Sequence, residues 1–442
     1  MVFLSNLIGT QMMSPGGRQV ISRYMLLDYV GMAVMMLSNT FYILFVIDHI
    51  GFTQASFIVS LTMFVQLLID YPSGSLGDWI GQRWVLSIAN LSYMVMYYLL
   101  FFTDNSITSF MIIAIISGFA NAMASGALQT WLDNSYKQVA GNTDPERKIY
   151  GFSIARITSL RRLVLALAVI LGGFLATQVS RRFVFLLQGF LLLFYTFLII
   201  FLVSKEKITR TDQFSLRNYL KFLRGGLRFT ISSKATSFFI FGLAIYSVTW
   251  LIWANLIQLP LYFGYTGSDD LSGILRSSLL LVGIPISMYT ASITQQFSNS
   301  KYPLIIFLHV VLFFPLLFLL LTLLPINNKF DIVGILSVFL IQVSLTSTLF
   351  WMAETLRQRV MIDMIPSEHR NAVYSLIPTL VSLFGIPVIM IAGVFTDSFG
   401  LPGGITIAFF ISMIGIFLIF LSFKFAGYQR PFPEPKINDF QD

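Results

Sequence analysis

The sequence lacks cysteine and has little charge. Among its 442 residues there is no Cys, there are only three His, and 11% are charged. Without Cys a chain has no disulfide, no thiolate metal site and no cysteine nucleophile. The three His are far apart in sequence, so no His-rich metal site is expected. A soluble domain carries roughly 25% charged residues, so this chain has too little polar surface for a soluble fold of its size.

Apolar residues take the place of the missing charge. They make up 56% of the chain, and the mean hydropathy is +0.79. A helix needs about 20 apolar residues to span hydrocarbon. Stretches near that length lie at about 24–47, 55–77, 84–102, 107–132, 151–177, 182–204, 236–262, 271–294, 303–325, 332–353, 371–396 and 403–425. The sequence therefore predicts an all-α polytopic membrane protein with twelve transmembrane helices.

The positions of the cations predict the orientation. Segments on the same side as both termini hold 21 of the 28 Lys and Arg residues, and the opposite segments hold 4. Because cytoplasmic loops carry the excess of Lys and Arg, both termini are expected in the cytoplasm, with the protein in the plasma membrane. The net charge of +8 then faces the anionic lipids of the inner leaflet, and no nucleic-acid partner is expected.

A sequence repeat divides the chain into two halves. Trp131 and Trp351 are 220 residues apart, and so are Gly173 and Gly393. This repeat predicts two pseudo-symmetric six-helix bundles joined by a central linker. The predicted segments are a cytoplasmic N-terminal arm at 1–23, a bundle at 24–204, a cytoplasmic amphipathic linker at 205–235, a bundle at 236–425 and a cytoplasmic tail at 426–442.

The most specific pattern lies at residues 70–83, between the second and third predicted spans. This polar stretch is expected to turn the chain back at a membrane surface. Its residues Gly74-x-Leu-x-Asp78-x-x-Gly81-x-Arg83 resemble the loop between helices 2 and 3 of the major facilitator superfamily. Further segments, Ser-Gly-Ala at 125–127 and Ile-Pro-Ser-Glu-His-Arg at 365–370, resemble the fourth helix of that family and the loop before its eleventh helix.

The resemblance implies a conformational latch on the cytoplasmic side. The implied latch residues are Gly74, Asp78, Gly81, Arg83 and, at the end of the fourth span, Asp133, which is expected to pair with Arg83 or a nearby cation. Trp79 and Gln82 stand where the family usually has basic residues, so the ionic part of the latch is weaker or depends on Arg83 alone. The alternative is a generic polar turn between two membrane helices.

Charged residues inside the spans are functional candidates, because each costs roughly 2.5–3.5 kcal/mol at the centre of a membrane helix. Asp28, Asp70 and Glu354 are candidates for proton coupling, since a carboxylate exposed alternately to each side can bind and release a proton. Each also has a structural interpretation as an interfacial, hydrogen-bonded or locally paired acid. Arg161 and Arg162 either neutralise an acid on a neighbouring helix or bind a substrate anion.

The resemblance also implies that helices 1, 4, 7 and 10 line a central cavity. Polar and aromatic residues of these spans, with the two arginines of the fifth, are expected to bind substrate. The predicted set is Asn39, Tyr42, Gln129, Arg161, Arg162, Tyr246, Trp250, Trp253, Gln258, Gln342 and Trp351. Tyr246, Trp250 and Trp253 form one helical stripe, which suits either an aromatic substrate or a surface facing lipid or another helix.

The main hypothesis is a secondary active transporter that works by alternating access, as a proton-coupled antiporter for efflux of small amphipathic compounds. An alternative is symport or exchange of an organic anion or another solute. A second alternative is a transport-inactive receptor or scaffold. No nucleotide-binding, metal-binding or nucleophile motif is present, so neither an enzyme nor a cofactor is expected. The expected partners are a small-molecule substrate, protons and the lipid bilayer, with the protein as a monomer.

Overall fold

The computed structural model describes residues 9–140, 144, 147–204, 224–324 and 332–426. Within these residues the chain is helical and contains no strand. The first residues of the predicted arm, the amphipathic part of the predicted linker and nearly all of the predicted tail lie outside the described residues. Of the linker, residues 224–235 are described, and residues 224–230 form a helix.

Besides the helix at residues 224–230, the described residues form fourteen α-helices. They are α1 (Pro15–Met36), α2 (Tyr42–Ile80), α3 (Gln82–Phe102), α4 (Ile107–Ala124), α5 (Ala127–Ala140), α6 (Lys148–Gln178), α7 (Arg181–Leu202), α8 (Lys234–Ile252), α9 (Gln258–Thr266), α10 (Asp269–Thr294), α11 (Tyr302–Leu323), α12 (Ile332–Met364), α13 (Ser367–Phe399) and α14 (Leu401–Ala426). A π-helical turn, Trp253–Ile257, joins α8 to α9.

Eleven helices of the described chain are long and apolar enough to cross a membrane. One of them contains Gly51, whose φ of 75° and ψ of 170° separate residues 42–50 from the helix that follows. A turn at residues 37–41 separates α1 from residues 42–50. We therefore count residues 15–50 as one interrupted crossing and the helix after Gly51 as the next. With the ten other long apolar helices, these make the twelve crossings that the sequence predicts.

Most of the polar stretch at residues 70–83 is helical. Helix α2 continues to Ile80, and α3 begins at Gln82. Only Gly81 breaks the helical path, with φ of 87° and ψ of 149°. A Cβ atom at this position would meet nothing within 4 Å. The positive φ, and not a lack of space, is therefore what favours glycine here.

The described residues pack into two compact units. The first lies within Met1–Phe214 and Leu259–Leu281, and the second within Ser215–Gln258 and Val282–Asp442. In the first unit, α2 packs on α4, α3 packs on α4 and α7, and α1 packs on α5, α6 and α7. Small residues permit close approach, as is usual for membrane helices: a Cβ at Gly118 would lie 2.6 Å from the carbonyl oxygen of Thr62.

In the second unit the main contact joins α8 to α14. Gly242 and Gly415 face each other there, and a Cβ on Gly242 would lie 2.8 Å from the carbonyl oxygen of Gly415. Helix α13 packs on both α8 and α14, while α11 packs on α12 and α14. These contacts hold the aromatic side chains of α8, α11 and α12 in one place.

Candidate functional site

An ion pair lies inside the first unit. The Nη1 atom of Arg161 in α6 is 3.3 Å from Oδ1 of Asp28 in α1. The Asp28 side chain is only 11% exposed, and its second oxygen, Oδ2, is buried with no hydrogen-bond partner in the part of the chain that the structure describes. Arg161 therefore neutralises an acid on a neighbouring helix, which is one of the two roles expected for it.

A second polar group in the first unit links α1, α5 and α6. The hydroxyl of Tyr24 donates to Oε1 of Gln129 over 3.3 Å. The Nε2 atom of Gln129 donates to Oδ1 of Asp133 over 3.2 Å and lies 3.0 Å from the hydroxyl of Tyr150. That hydroxyl also donates to Asp133. Two predicted residues, Gln129 and Asp133, are thus brought together, with two tyrosines that the sequence analysis did not single out.

The start of α6 is fixed by Asp144. Its carboxylate accepts hydrogen bonds from the backbone N–H groups of Ile149 and Tyr150 over 3.3 and 2.9 Å, and from the hydroxyl of Tyr136 over 3.0 Å. Desolvation opposes ionisation of the Asp144 carboxyl, but these hydrogen bonds outweigh it and hold its pKa below the usual value. Asp144 thus helps to set the position of Tyr150 and of the helix that carries Arg161.

The predicted latch is only partly described. Gly74 and Asp78 lie outside the residues whose side chains the structure describes. The predicted pair between Asp133 and Arg83 is not formed: Asp133 bonds to Gln129 and Tyr150 instead. The Nε atom of Arg83 is buried without a hydrogen-bond partner among the described residues, and the guanidinium carbon lies 5.6 Å from the ring centroid of Trp84.

A cluster at the opposite end of the first unit was not predicted. The Nε and Nη2 atoms of Arg181 lie 2.7 and 2.9 Å from the two carboxylate oxygens of Asp269. Its Nη1 atom lies 2.6 Å from Oδ2 of Asp48. Arg181 therefore joins the starts of α7 and α10 to residues 42–50. The sequence placed these charges in segments opposite the termini but carried no signal that they meet.

A further cation lies inside α10. The Nη1 atom of Arg276 donates to the backbone carbonyl of Asn39 over 3.0 Å. Asn39 belongs to the turn at residues 37–41, and its side-chain Oδ1 is buried without a hydrogen-bond partner in the described chain. Asn39 is one of the predicted substrate residues, whereas Arg276, one of the four cations counted in segments opposite the termini, is not among the predicted site residues.

Aromatic side chains meet in the second unit. The rings of Trp250 and His309 are stacked with their centroids 5.5 Å apart, and each also lies 5.5 Å from the ring of Phe350. Phe313 contacts Trp250, Trp253 and His309 with centroids 5.1 to 5.8 Å apart. The predicted stripe is therefore an interhelix surface in this structure, completed by residues of α11 and α12 that sequence analysis missed.

Two polar atoms of this aromatic cluster, Nε1 of Trp250 and Nδ1 of His309, are buried without a hydrogen bond among the described residues. Gln342, on α12, is also buried, and its Nε2 has no hydrogen bond among the described residues. An unsatisfied buried donor or acceptor costs about 1–3 kcal/mol, so a bound molecule that supplied partners would recover that cost.

The other predicted residues are placed as follows. Glu354 is bonded to Arg357 one turn away in the same helix, as its structural interpretation expected. Asp70, ten residues before the end of α2, is exposed and lies beside Ser125. Tyr42, Arg162, Gln258 and Trp351 are half-buried, and the ring of Trp351 lies 5.3 Å from that of Phe350.

Comparison with known proteins gives a family. The model of the Major Facilitator Superfamily matches residues 29–386. No curated protein matches the sequence. Among solved structures, the nucleoside transporter NupG has a TM-score of 0.65 at 12% identity, covering 92% of this chain and 98% of its own. A D-xylose-proton symporter has the same score and identity, with 94% and 98% covered.

A third solved structure, a bacterial homologue of the human lysosomal transporter Spinster in an inward-facing and occupied conformation, has a TM-score of 0.66 at 11% identity and covers 96% of this chain and 99% of its own. At such low identities these three likenesses establish the fold alone. With the family match they confirm the predicted family and the all-α membrane fold.

Proposed function

The chain belongs to the major facilitator superfamily of membrane transporters, and we propose that it is a proton-coupled exporter of small amphipathic compounds. The transporter is not an enzyme, and its substrate is a small molecule carried across a lipid bilayer. The distribution of Lys and Arg supports a plasma-membrane protein with both termini in the cytoplasm. A single chain with two internal halves needs no second copy to form a transport path, which supports a monomer.

The geometry of Asp28 carries the proposal of proton coupling. One carboxylate oxygen is bound by Arg161 at 3.3 Å, while the other is buried and receives no hydrogen bond from any described residue. Ionisable residues inside membrane spans mark proton or ion pathways. A conformational change that breaks the contact with Arg161 leaves the Asp28 carboxylate without a cation. Binding of a proton then neutralises that carboxylate. Asp28 is therefore favoured over Glu354, which keeps a cation within its own helix.

The aromatic cluster supports an amphipathic substrate. Trp250, His309, Phe313 and Phe350 offer ring faces and edges, and Nε1 of Trp250 and Nδ1 of His309 are buried without a hydrogen bond to any described residue. Flat apolar molecules with a few polar atoms fit such a surface, because ring contacts and hydrogen bonds are both available.

The test is transport driven by a pH gradient in proteoliposomes. A fluorescent amphipathic compound that raises the melting temperature of the purified protein is supplied outside vesicles with an acidic lumen. An antiporter accumulates the compound as protons leave. We expect Asp28→Asn to abolish accumulation driven by the gradient while still exchanging labelled for unlabelled compound across the membrane.

Glu354→Gln is the matched control, because that acid is paired locally, and it is expected to retain driven accumulation. Accumulation that persists in Asp28→Asn overturns the assignment of the proton site. Accumulation under an alkaline lumen, with protons and compound moving together, overturns export by antiport and favours a symporter.

A further inference from the structure

Arg276 is a charged residue in the membrane without a carboxylate partner among the described residues. It lies seven residues after Asp269 in α10, which is about 10 Å along the helix axis at 1.5 Å per residue. Its one hydrogen bond to a described residue goes to the carbonyl of Asn39. A guanidinium has five N–H donors, so four of them remain available, and the side chain is half-buried.

The acids nearest to Arg276 on its own helix are already engaged. Asp269 shares the same helix face two turns away but is bound by two nitrogens of Arg181. Asp270 accepts hydrogen bonds from Ser268 and from Thr177. Neither carboxylate neutralises Arg276. Arginine within membrane spans almost always faces a bundle interior or a water-filled cavity and pairs there.

Other contacts already hold the turn at residues 37–41 and α10 in place around Arg276. Thr40, next to Asn39, is 3.5 Å from the carbonyl of Val169, and Ser277 is 2.9 Å from that of Ala166. These contacts already hold the turn and α10 to α6. The guanidinium is therefore not needed to attach either element, and the planar fork of N–H groups is the geometry that binds a carboxylate in two places.

We propose that Arg276 binds the anionic group of the transported compound, at a site formed with the turn around Asn39. This inference rests on the proposed transport function and specifies its substrate class: amphipathic molecules that carry a carboxylate or a comparable acidic group. It also replaces Arg161, which is neutralised by Asp28, as the cation that recognises an organic anion.

The absence of native cysteine permits a direct test with single-cysteine variants in lipid nanodiscs. Asn39→Cys places a thiol beside the guanidinium, and Asn105→Cys, in an exposed loop, is the control. Each thiol is labelled with a negatively charged sulfonatoethyl methanethiosulfonate or a positively charged trimethylammonioethyl one. The measured quantity is the ratio of the two labelling rates, in the presence or absence of Arg276→Gln.

At about 8 Å and an effective dielectric constant of about 40, Coulomb's law gives a change of about 30-fold in this ratio when the positive charge is removed. We expect a drop of at least about tenfold for Asn39→Cys, no change for Asn105→Cys, and retention of the ratio in Arg276→Lys. We also expect 1-naphthoate, but not its neutral amide, to slow labelling of Asn39→Cys, and Arg276→Gln to remove this protection.

A rate ratio at Asn39→Cys that Arg276→Gln leaves unchanged, or no labelling of Asn39→Cys by either reagent, would show that Arg276 is a structural contact closed to anions and would overturn the inference. Driven flux of neutral or cationic compounds that is unaffected by Arg276→Gln would also overturn it, while leaving the proposed transport function intact. Absence of driven flux for any compound would instead overturn the transport function itself.

Discussion

The cluster around Arg181 permits a quantitative prediction about stability. Arg181 contacts two acids in different surroundings: the side chain of Asp269 is 8% exposed and that of Asp48 is 56% exposed, while that of Arg181 is 17% exposed. The contact with Asp269 uses two nitrogens, and the contact with Asp48 uses one. The two pairs should therefore contribute unequally to the free energy of unfolding.

The expected magnitudes follow from burial. Breaking a buried ion pair by removing one partner costs about 3–5 kcal/mol, and partial exposure of Arg181 reduces this to about 2–3 kcal/mol for Asp269→Ala. An exposed pair contributes about 0–1 kcal/mol, which is the range expected for Asp48→Ala. The coupling energy between Arg181 and Asp269 should exceed that between Arg181 and Asp48 by at least about 1 kcal/mol.

The assay is a pair of double-mutant cycles measured by SDS-induced unfolding of the purified protein in mixed micelles. Each cycle combines Arg181→Ala with one of the two acid variants and is repeated at high salt. The coupling with Asp48 is expected to fall with salt, since exposed charges are screened. Equal coupling energies in the two cycles, or a coupling with Asp269 that salt abolishes, would refute this account of the cluster.

Two further predictions concern helix packing and helix capping. Gly172→Ala should lower the melting temperature, because its Cβ would lie 1.7 Å from the carbonyl oxygen of Leu37 and overpacking costs about 1–3 kcal/mol. The control, Gly151→Ala in the same helix, has open space around its Cβ and should raise the melting temperature. A fall of the same size in both variants would contradict the packing. Asp144→Ala should destabilise by about 0.5–2 kcal/mol at pH 7. Because the pKa of Asp144 is lower in the folded protein, this stabilisation is complete above the unfolded pKa of about 3.9 and is lost as the pH falls through the folded pKa. The melting temperatures of the wild type and Asp144→Ala should therefore converge in acid. A difference in melting temperature that grows in acid would contradict this.

The sequence was sufficient for the fold because membrane helices depend on local hydropathy. Each span satisfies its own backbone hydrogen bonds, so runs of apolar residues predict the helices without knowledge of their neighbours. The polar residues at 70–83 predicted a turn between two spans. The structure keeps most of them helical and has a single non-helical residue, Gly81, between α2 and α3.

The candidate site was less accessible to sequence analysis, because it depends on pairs of residues far apart in the chain. Asp28 and Arg161 were each singled out as in-span charges, and their contact is one of the alternatives considered. His309 and Phe350 carried no signal, because an aromatic residue inside an apolar span looks like any other. The sequence does carry a signal for Arg276, because it is a charged residue within an apolar span.

The central claim is that one binding site is exposed alternately to each side of the membrane. Entrance counterflow measures this alternation without any ion gradient. Proteoliposomes are loaded with a high concentration of an unlabelled compound that stabilises the protein, and a trace of labelled compound is added outside. A carrier that exposes one site to each side in turn accumulates the label transiently above its outside concentration. We predict such an overshoot; a label that rises steadily to equilibrium, as through a channel, or that never enters would contradict the account.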